Sequence, residues 1–185
     1  QQYQVPKAII ASIMGVETRW GEFMGKYRVL DALATLAFDY PKRSPFFTQE
    51  LGTFIVLTRE LGISPTAAYG SYAGAMGQGQ FMPSSYRNLA VDFNGDRRID
   101  LWAQTEDAIG SVAHYLHKNG WDPAQPIALR ANVASYSAPE FSNLQRSRTN
   151  SEYVLSQLKA AGLSFAEISP VVVPETAKAG LIELE

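Results

Sequence analysis

The sequence predicts a mainly α domain over residues 1–121, followed by a smaller α+β segment over residues 122–185. In the first part, apolar residues recur at steps of three and four, which is typical of amphipathic helices. After residue 122, prolines and short apolar runs favour strands and turns. With 185 residues and 46% hydrophobic content, the chain can bury a core of its own and is not expected to be disordered.

Five helices are predicted in the first region from the residues that begin and end them as well as from their periodicity. Proline favours the first turn of a helix, and glycine commonly closes one in the left-handed conformation. Pro6 therefore starts a helix that runs to Gly21, Pro41 stops a second, and Gly62 closes a third. The predicted bounds are 6–21, 29–40, 45–62, 83–91 and 105–119, with a short helical turn at Ser64-Pro65.

The rest of the chain is predicted from weaker signals. Four glycines between Gly70 and Gly79 interrupt every periodic pattern, so this stretch is predicted to be a loop or tight turn. In the second region we expect one helix over 151–161 and strands at 171–173 and 181–184.

Composition excludes several classes of function. Sixteen basic and 18 acidic residues give a net charge of −2, so the chain has no excess of positive charge for nucleic acid. The absence of cysteine excludes disulfides, thiolate catalysis and iron–sulfur clusters. No apolar run is long enough to span a membrane, and residues 1–4 lack the charged start of a signal peptide, so we expect a mature or trimmed soluble chain.

Glu17 is the first candidate for chemistry. At 100° per residue it lies about 20° from Ile10, between Ile13 and Met14 on the apolar side of the first helix. Burial disfavours a charged carboxylate, so we expect Glu17 to keep its proton near neutral pH and to act as a general acid. The alternative is that Glu17 lies past the core, at the helix end, and pairs with an arginine such as Arg28 or Arg43.

The glycine-interrupted segment from Gly70 to Tyr86 is the second candidate. It combines bare backbone with hydroxyls, amides and aromatic rings, which suit the hydroxyl groups and apolar faces of sugars. The glycine spacing of phosphate-binding loops is missing. The alternative is a close crossing of two helices at small residues.

An acidic loop follows. Asp92, Asn94 and Asp96 occupy positions 1, 3 and 5 of an EF-hand pattern, which would place oxygen ligands around Ca²⁺. The loop departs from the pattern at position 6, which is Arg97, and at position 12, which is Ala103. A solvated acidic turn without metal is the alternative.

Two histidines are spaced for a metal but are not expected to bind one. His114 and His117 lie three residues apart on a predicted helix, and no third ligand is near in sequence. We expect them to be surface histidines. A Ser-His-Asp hydrolase is equally disfavoured, because no serine lies in a strand–turn–helix elbow.

Four motifs occur in order over residues 3–121. They are GVETRWG at 15–21, LDALATL at 30–36, GAMG and GQFMPSSY at 74–86, and DAIGSVA with Tyr115 at 107–115. Together they resemble the membrane-bound lytic transglycosylase B family of peptidoglycan-cleaving enzymes. The resemblance implies a lysozyme-like helical fold, no organic cofactor, glycan strands as partner, and a periplasmic enzyme that is soluble or lipid-anchored. It also implies further cleft-forming sequence outside residues 1–185, so the α+β segment is expected to be incomplete.

The resemblance implies cleavage of the β-1,4 bond between N-acetylmuramic acid and N-acetylglucosamine, with a 1,6-anhydromuramyl product. Ordinary glycosidases use two carboxylates, whereas only Glu17 has a persuasive apolar setting here. The substrate's N-acetyl oxygen would then meet the charge at the anomeric carbon. The muramyl 6-hydroxyl, tethered to the ring, would outcompete water.

The resemblance also assigns residues. Glu17 matches the single acid/base, Ser71 and Gln80 match positions that hydrogen-bond the sugar, and Arg43 matches a position that meets lactyl or peptide carboxylates. Residues matching the binding cleft are Met76, expected beneath Glu17, and Phe81, Tyr86 and Tyr115. Calcium would be held by Asp92, Asn94, Asp96, the Arg98 carbonyl and Asp107, with Glu106 as a neighbouring candidate. A muramidase hydrolase and a noncatalytic, calcium-stabilised glycan-binding module are the rival functions.

Overall fold

A computed structural model describes residues 2–135, 139–142, 144, 153–165 and 173–182. The chain divides into two compact units, residues 1–121 and residues 122–185. Within the described ranges, no helix has both the length and the apolar character needed to cross a membrane.

The first unit is built almost entirely from helices. Its two strands, β1 (Tyr27–Arg28) and β2 (Tyr69–Gly70), form one short antiparallel pair. Its helices are α1 (Lys7–Thr18), α2 (Val29–Asp39), α3 (Ser44–Leu61), α4 (Pro83–Leu89) and α5 (Thr105–Lys118), with a 3₁₀ turn at Pro41–Arg43.

The prolines and glycines predicted to begin and end the helices explain most of these bounds. Gly62 closes α3 with a φ of 68°, and its amide donates to the carbonyls of Thr58 and Arg59. Two expectations are wrong in detail. Helix α1 ends at Thr18 rather than at Gly21, because the chain turns into the left-handed region directly afterwards. Ser64 begins a turn, not a helix.

The core of the first unit lies where the helices meet. Helix α2 packs most extensively on α3, and α4 packs on α3 and α5. Buried side chains from the helices and from the loops between them form one continuous cluster. Its members include Met14, Val29, Leu33, Phe47, Phe54, Leu57, Met76, Phe81, Tyr86, Leu101, Ala108 and Val112.

The second unit mixes short strands and helices. It contains β3 (Ala131–Val133), α6 (Pro139–Ser142), β4 (Tyr153–Val154), α7 (Leu155–Ala160), β5 (Leu163–Phe165) and β6 (Lys178–Ala179). Strand β3 pairs with β5, and β4 pairs with β6, both antiparallel. A small core forms around Phe141, Ala161 and Leu163.

The strand predictions in this unit fare worse than the helix prediction. Helix α7 falls within the predicted 151–161, but residues 181–182 are not strand, nor is Val173. The remaining residues of those two predicted strands, 171–172 and 183–184, lie outside the described residues. The mainly α class with an α+β appendage is confirmed.

Candidate active site

Glu17 lies in the last turn of α1 and is exposed to solvent. The expectation of a buried carboxylate is therefore wrong. The buried residues of α1 are Ile10, Met14 and Thr18, so the centre of the buried stripe is displaced from Glu17 by about 60° around the helix. The apolar side of α1 therefore does not dehydrate this side chain.

The two arginines that were the alternative partners of Glu17 have other contacts. Arg28 forms an ion pair with Asp31, with 2.8 Å between Nε and Oδ2. The Arg43 guanidinium lies over the rings of Phe46 and Phe47, at 4.6 and 5.0 Å from the centroids. Arg43 itself is exposed.

Thr18 fastens the end of α1 to the glycine-interrupted segment. Its side chain is buried, and Oγ1 lies 2.8 Å from the carbonyl oxygen of Gln78 and accepts a hydrogen bond from the Gly21 amide. Because Thr18 directly follows Glu17, the carboxylate stands on a turn whose position is set by residue 78.

The turn itself is strained. Arg19 and Trp20 both have left-handed backbone, with φ values of 51° and 57°, a conformation uncommon for bulky residues and frequent at functional sites. The Trp20 indole folds back along α1, where Nε1 donates to Ala11 O at 2.9 Å. The ring covers Gly15, and a Cβ there would lie only 2.9 Å from it.

Beyond this turn, residues 21–28 run alongside the glycine-interrupted segment, and we call the line of contact the seam. Gly21 packs on the Gln78 side chain. Met24 O accepts a hydrogen bond of 3.2 Å from Gln80 Nε2. Gly25 lies against Gly70 so closely that a Cβ would meet its carbonyl oxygen at 2.0 Å, and its φ is 100°. The seam brings Glu17's turn to the stretch that was predicted to bind sugar.

Ser71 lies half-buried just after β2, on the seam. Its Oγ accepts hydrogen bonds from the amides of Ala73 and Ala75, at 3.2 and 3.1 Å. Because a serine hydroxyl both donates and accepts, its single hydrogen remains available to a ligand oxygen.

Gln80 is also half-buried, with a left-handed φ of 51°. Its Nε2 donates to Gly77 O at 3.0 Å as well as to Met24 O. Both amide hydrogens are therefore used, one across the seam and one within the glycine-interrupted segment. Its carbonyl oxygen is the group that a sugar hydroxyl could reach.

Three residues expected in the cleft are buried in the core instead. Met76 is fully buried, and it bridges Gly70 and Phe81 through its backbone. Phe81 is buried with its ring edge-on to Tyr115, at 5.7 Å between centroids. Tyr86 is buried, and its hydroxyl donates to Ile99 O at 2.8 Å. Burial raises the pKa of Tyr86.

Burial changes the expected roles of these three residues. Met76, Phe81 and Tyr86 support the glycine-interrupted segment from the core, because none of their side chains is open to a ligand. Tyr115 on α5 is exposed, so of the aromatic rings expected to line the cleft, it is the accessible one.

Glu50 is a buried carboxylate that the sequence analysis did not single out. It lies on α3, where its Oε2 and Oε1 accept hydrogen bonds from the Ser84 amide at 2.9 Å and the Ser84 hydroxyl at 2.6 Å. Ser84 is in the first turn of α4. Glu50 thus supplies the negative group that the start of a helix favours.

The acidic loop is closed by its own side chains. Asp92 accepts the amides of Gly95 and Arg97, at 2.6 and 2.7 Å, and Asp96 accepts the Arg98 amide at 2.8 Å. The Gln104 side chain donates to Asp96 Oδ2 at 2.6 Å. This hydrogen bond, with that of Arg98, lowers the pKa of Asp96.

Asp107 differs from the other predicted calcium ligands because it is fully buried. Its two oxygens accept the amides of Phe93 at 2.8 Å and Asp100 at 3.0 Å. It therefore fixes the backbone of the loop to α5 at residues 93 and 100. No group of three or more acidic or histidine side chains is placed to hold a metal within the described part of the chain.

The histidines make structural contacts on α5. His114 Nδ1 lies 2.8 Å from Leu89 O, and the Tyr3 ring packs between His114 and His117, at 5.1 and 5.8 Å from their centroids.

Comparison with known proteins agrees with these motifs. The family model described as "Transglycosylase SLT domain" matches residues 1–184. A curated Escherichia coli K12 relative, "Membrane-bound lytic murein transglycosylase B", is 50% identical over 164 residues, which is 89% of this chain and 43% of the relative.

Solved structures give the same result. Catenated lytic transglycosylase SltB1 from Pseudomonas aeruginosa has a TM-score of 0.88 and 44% identity over 97% of this chain and 57% of its own. Escherichia coli lytic transglycosylase Slt35, in complex with calcium, has a TM-score of 0.80 and 49% identity over 92% of this chain and 52% of its own. The fold is therefore that of the lytic transglycosylases, as the lysozyme-like prediction implied.

This chain belongs to the transglycosylase SLT domain family. It spans 43% of the curated relative and little more than half of each of the two structures.

Proposed function

We propose that this chain carries the catalytic acid/base of a peptidoglycan lytic transglycosylase. The observation that carries the proposal is the position of Glu17. Its side chain is exposed, and the next residue, Thr18, joins the end of α1 to the glycine-interrupted segment by a hydrogen bond to Gln78 O. Membership of the SLT family supplies the reaction class. The substrate is the β-1,4 bond between N-acetylmuramic acid and N-acetylglucosamine.

In the proposed reaction, Glu17 donates its proton to the glycosidic oxygen as the C1–O4 bond breaks. The substrate's N-acetyl oxygen stabilises the positive charge that develops at C1. The muramyl O6 then bonds to C1, and its proton passes to the Glu17 carboxylate, which restores the acid. Because O6 belongs to the same sugar, its effective concentration far exceeds that of water.

An exposed Glu17 changes how the proton would be held. The apolar side of α1 does not dehydrate the carboxylate, so the bound glycan must do so when it covers the seam. Exclusion of water by substrate strengthens the electrostatic interactions inside a site. The acid is therefore completed by substrate binding rather than prepared in the free protein.

The remaining contacts divide by exposure. The Ser71 hydroxyl and the Gln80 carbonyl would orient the sugar, the exposed Tyr115 ring would pack on a sugar face, and Arg43 would meet a lactyl or peptide carboxylate. The structure of SltB3 from Pseudomonas aeruginosa in complex with NAG-anhNAM-pentapeptide supports this substrate class. SltB3 is 28% identical to this chain, with a TM-score of 0.75, and the match covers 95% of this chain and 45% of SltB3.

The test is digestion of purified peptidoglycan followed by mass spectrometry of the products. We expect muropeptides with 1,6-anhydromuramyl ends. Products heavier by one water would show a muramidase hydrolase instead. A protein that binds the glycan and releases no muropeptide would be the noncatalytic module, and the proposal would be wrong.

We further propose that the acidic loop binds calcium in a structural role, as the complex of Slt35 with calcium suggests. The donors are carboxylate, amide and carbonyl oxygens, which suit Ca²⁺. Asp92, Asn94, Asp96 and the Arg98 carbonyl would hold the ion. Asp107 would keep its hydrogen bonds to the loop backbone, so the exposed Glu106 is the better candidate for a closing ligand.

Calorimetry tests the calcium proposal without any assay of activity. An ion that binds only the folded state stabilises it by about 2.7 kcal/mol at 100 times its dissociation constant. We expect the melting temperature to be higher in millimolar Ca²⁺ than in chelator. Equal melting temperatures would mean that the loop is a solvated turn.

The cellular location follows from the substrate. Peptidoglycan lies outside the inner membrane, so we propose a periplasmic protein, soluble or lipid-anchored in its full-length form. Fractionation of cells that express the full-length protein would test this, and a cytoplasmic protein would contradict it.

A further inference from the structure

A concave surface lies between α2 and the short strand pair formed by β1 and β2. It has a volume of about 480 Å³, within the range of about 300–1,000 Å³ typical of ligand pockets. Its floor is the surface of α2 at Ala32 and Leu36, and its walls come from residues 26–28 and from Tyr69 and Tyr72. None of the residues assigned to the site above lines it.

Three tyrosines surround this pocket. Tyr27 and Tyr69 are each 49% exposed, and Tyr72 is 73% exposed. Tyr27 and Tyr69 are held in place because β1 and β2 pair Tyr27 with Gly70 and Arg28 with Tyr69. Exposed rings at fixed positions around a hollow are suited to the apolar faces of sugar rings.

The charge of the pocket is positive by one residue. Arg28 and Asp31 neutralise each other in their 2.8 Å ion pair. Lys26 is exposed at the rim and has no ion-pair partner among the residues described. An ammonium group beside aromatic rings favours a sugar that bears a carboxylate.

Residues that line the pocket are chain neighbours of residues in the candidate active site. Tyr72 directly follows Ser71, which lies on the seam. On the other strand, Met24 O holds the Gln80 side chain, and two residues later Lys26 reaches the pocket. The pocket therefore borders the same two chain segments that carry Met24 and Ser71.

We propose that the tyrosine pocket is a glycan subsite that binds a further N-acetylmuramic acid of the same strand. Its ring packs on Tyr72 and its neighbours, and its lactyl carboxylate meets Lys26. The inference rests on the proposed function, because the strand must first occupy the site beside Glu17. It predicts that affinity increases with glycan length.

Calorimetric titration of the full chain carrying Glu17→Gln, which keeps the glycan intact, tests the subsite. The probes are the disaccharide N-acetylglucosaminyl-N-acetylmuramic acid and its tetrasaccharide. We expect Tyr72→Ala to weaken tetrasaccharide binding about fivefold to tenfold, the size of one aromatic contact. Disaccharide binding should stay within about twofold, and Tyr72→Phe should restore tetrasaccharide binding.

Phe38→Ala is the matched control. Phe38 lies on α2, is also 73% exposed, and does not line the pocket. It should bind both probes as the parent does. Equal tetrasaccharide affinity in the Tyr72→Ala and Phe38→Ala variants would overturn the subsite, as would equal weakening of the two probes by Tyr72→Ala.

The carboxylate contact has its own test. Lys26→Met should weaken tetrasaccharide binding at low salt and much less at high salt, because an exposed charge pair is screened. The neutral tetramer of N-acetylglucosamine should be unaffected. A loss of the same size for the neutral tetramer would contradict the contact between Lys26 and a carboxylate.

The two proposals can fail separately. The dependence of affinity on glycan length, and its loss in the Tyr72→Ala variant, report on binding alone and not on catalysis. The role of Glu17 is decided by the products of peptidoglycan digestion, so it can fail while the subsite stands.

Discussion

Glu17 and Asp107 are both carboxylates on helices of the first unit, but they differ in exposure and in hydrogen bonding. Glu17 is exposed at the end of α1, on a strained turn, whereas Asp107 is fully buried in the first turn of α5 and accepts two backbone amides. A buried carboxylate that accepts amides holds the backbone in place. An exposed one, fastened at a seam, is free to exchange a proton with a ligand.

Glu50 belongs with Asp107 in this comparison. Its two oxygens are occupied by the amide and hydroxyl of Ser84. The buried carboxylates therefore position the glycine-interrupted segment and the acidic loop, and Glu17 stands on the surface that they help to shape. Burial alone does not identify the reacting group.

The largest effect on stability is expected at Asp107. Asp107→Ala leaves two amides without an acceptor, so the free energy of unfolding should fall by about 3 kcal/mol or more. Denaturant unfolding measures it. Asp107→Asn keeps the shape and one acceptor and should lose less. Glu17→Gln is the contrast, and it should stay within about 0.5 kcal/mol of wild type.

The second effect is expected at Glu50. Glu50→Ala removes both partners of Ser84, and we expect a loss of about 2 kcal/mol in the same unfolding experiment. Glu60→Ala on the same helix is the control, because its ion pair with Arg87 is exposed and such pairs contribute little. Equal losses in the two variants would remove the distinction between buried and exposed carboxylates.

The smallest effect is a pH dependence at Glu60. The hydrogen bond from Arg87 lowers the pKa of Glu60 from its ordinary value of 4.5. Its contribution to stability is thus present above pH 4.5 and is lost as the pH falls through the lowered value. Wild type and Glu60→Gln should differ slightly at pH 7 and converge in acid. A difference that grows in acid would contradict this assignment.

Much of the first unit could be predicted from the sequence because its helices carry their own boundaries. Gly62 and Pro41 stop helices where the periodicity also fails, so local and tertiary preferences agree. The strands could not be found in this way. Each strand is only two or three residues long, and the strand with which it pairs is distant in sequence.

The burial of the predicted site residues differs from the prediction, because Glu17 is exposed and Met76, Phe81 and Tyr86 are buried. The same helical projection that was applied to Glu17 finds Glu50, which lies between Phe54 and Leu57 on the buried side of α3. For Glu17 the projection failed because α1 ends one residue later, and the chain turns away before any element covers that face. Tyr86 and Met76 were assigned to the cleft by the resemblance, and a match of residue identity does not distinguish a buried side chain from an exposed one.

The central claim is that the exposed Glu17 is the proton donor and acceptor. Its most direct test is turnover of purified peptidoglycan by Glu17→Gln, with Glu60→Gln as the matched control, since Glu60 is an exposed carboxylate on α3 outside the seam. We predict that Glu17→Gln loses at least about 100-fold in turnover while it retains glycan binding, and that Glu60→Gln stays near wild type. Turnover by Glu17→Gln within about tenfold of wild type would contradict the account.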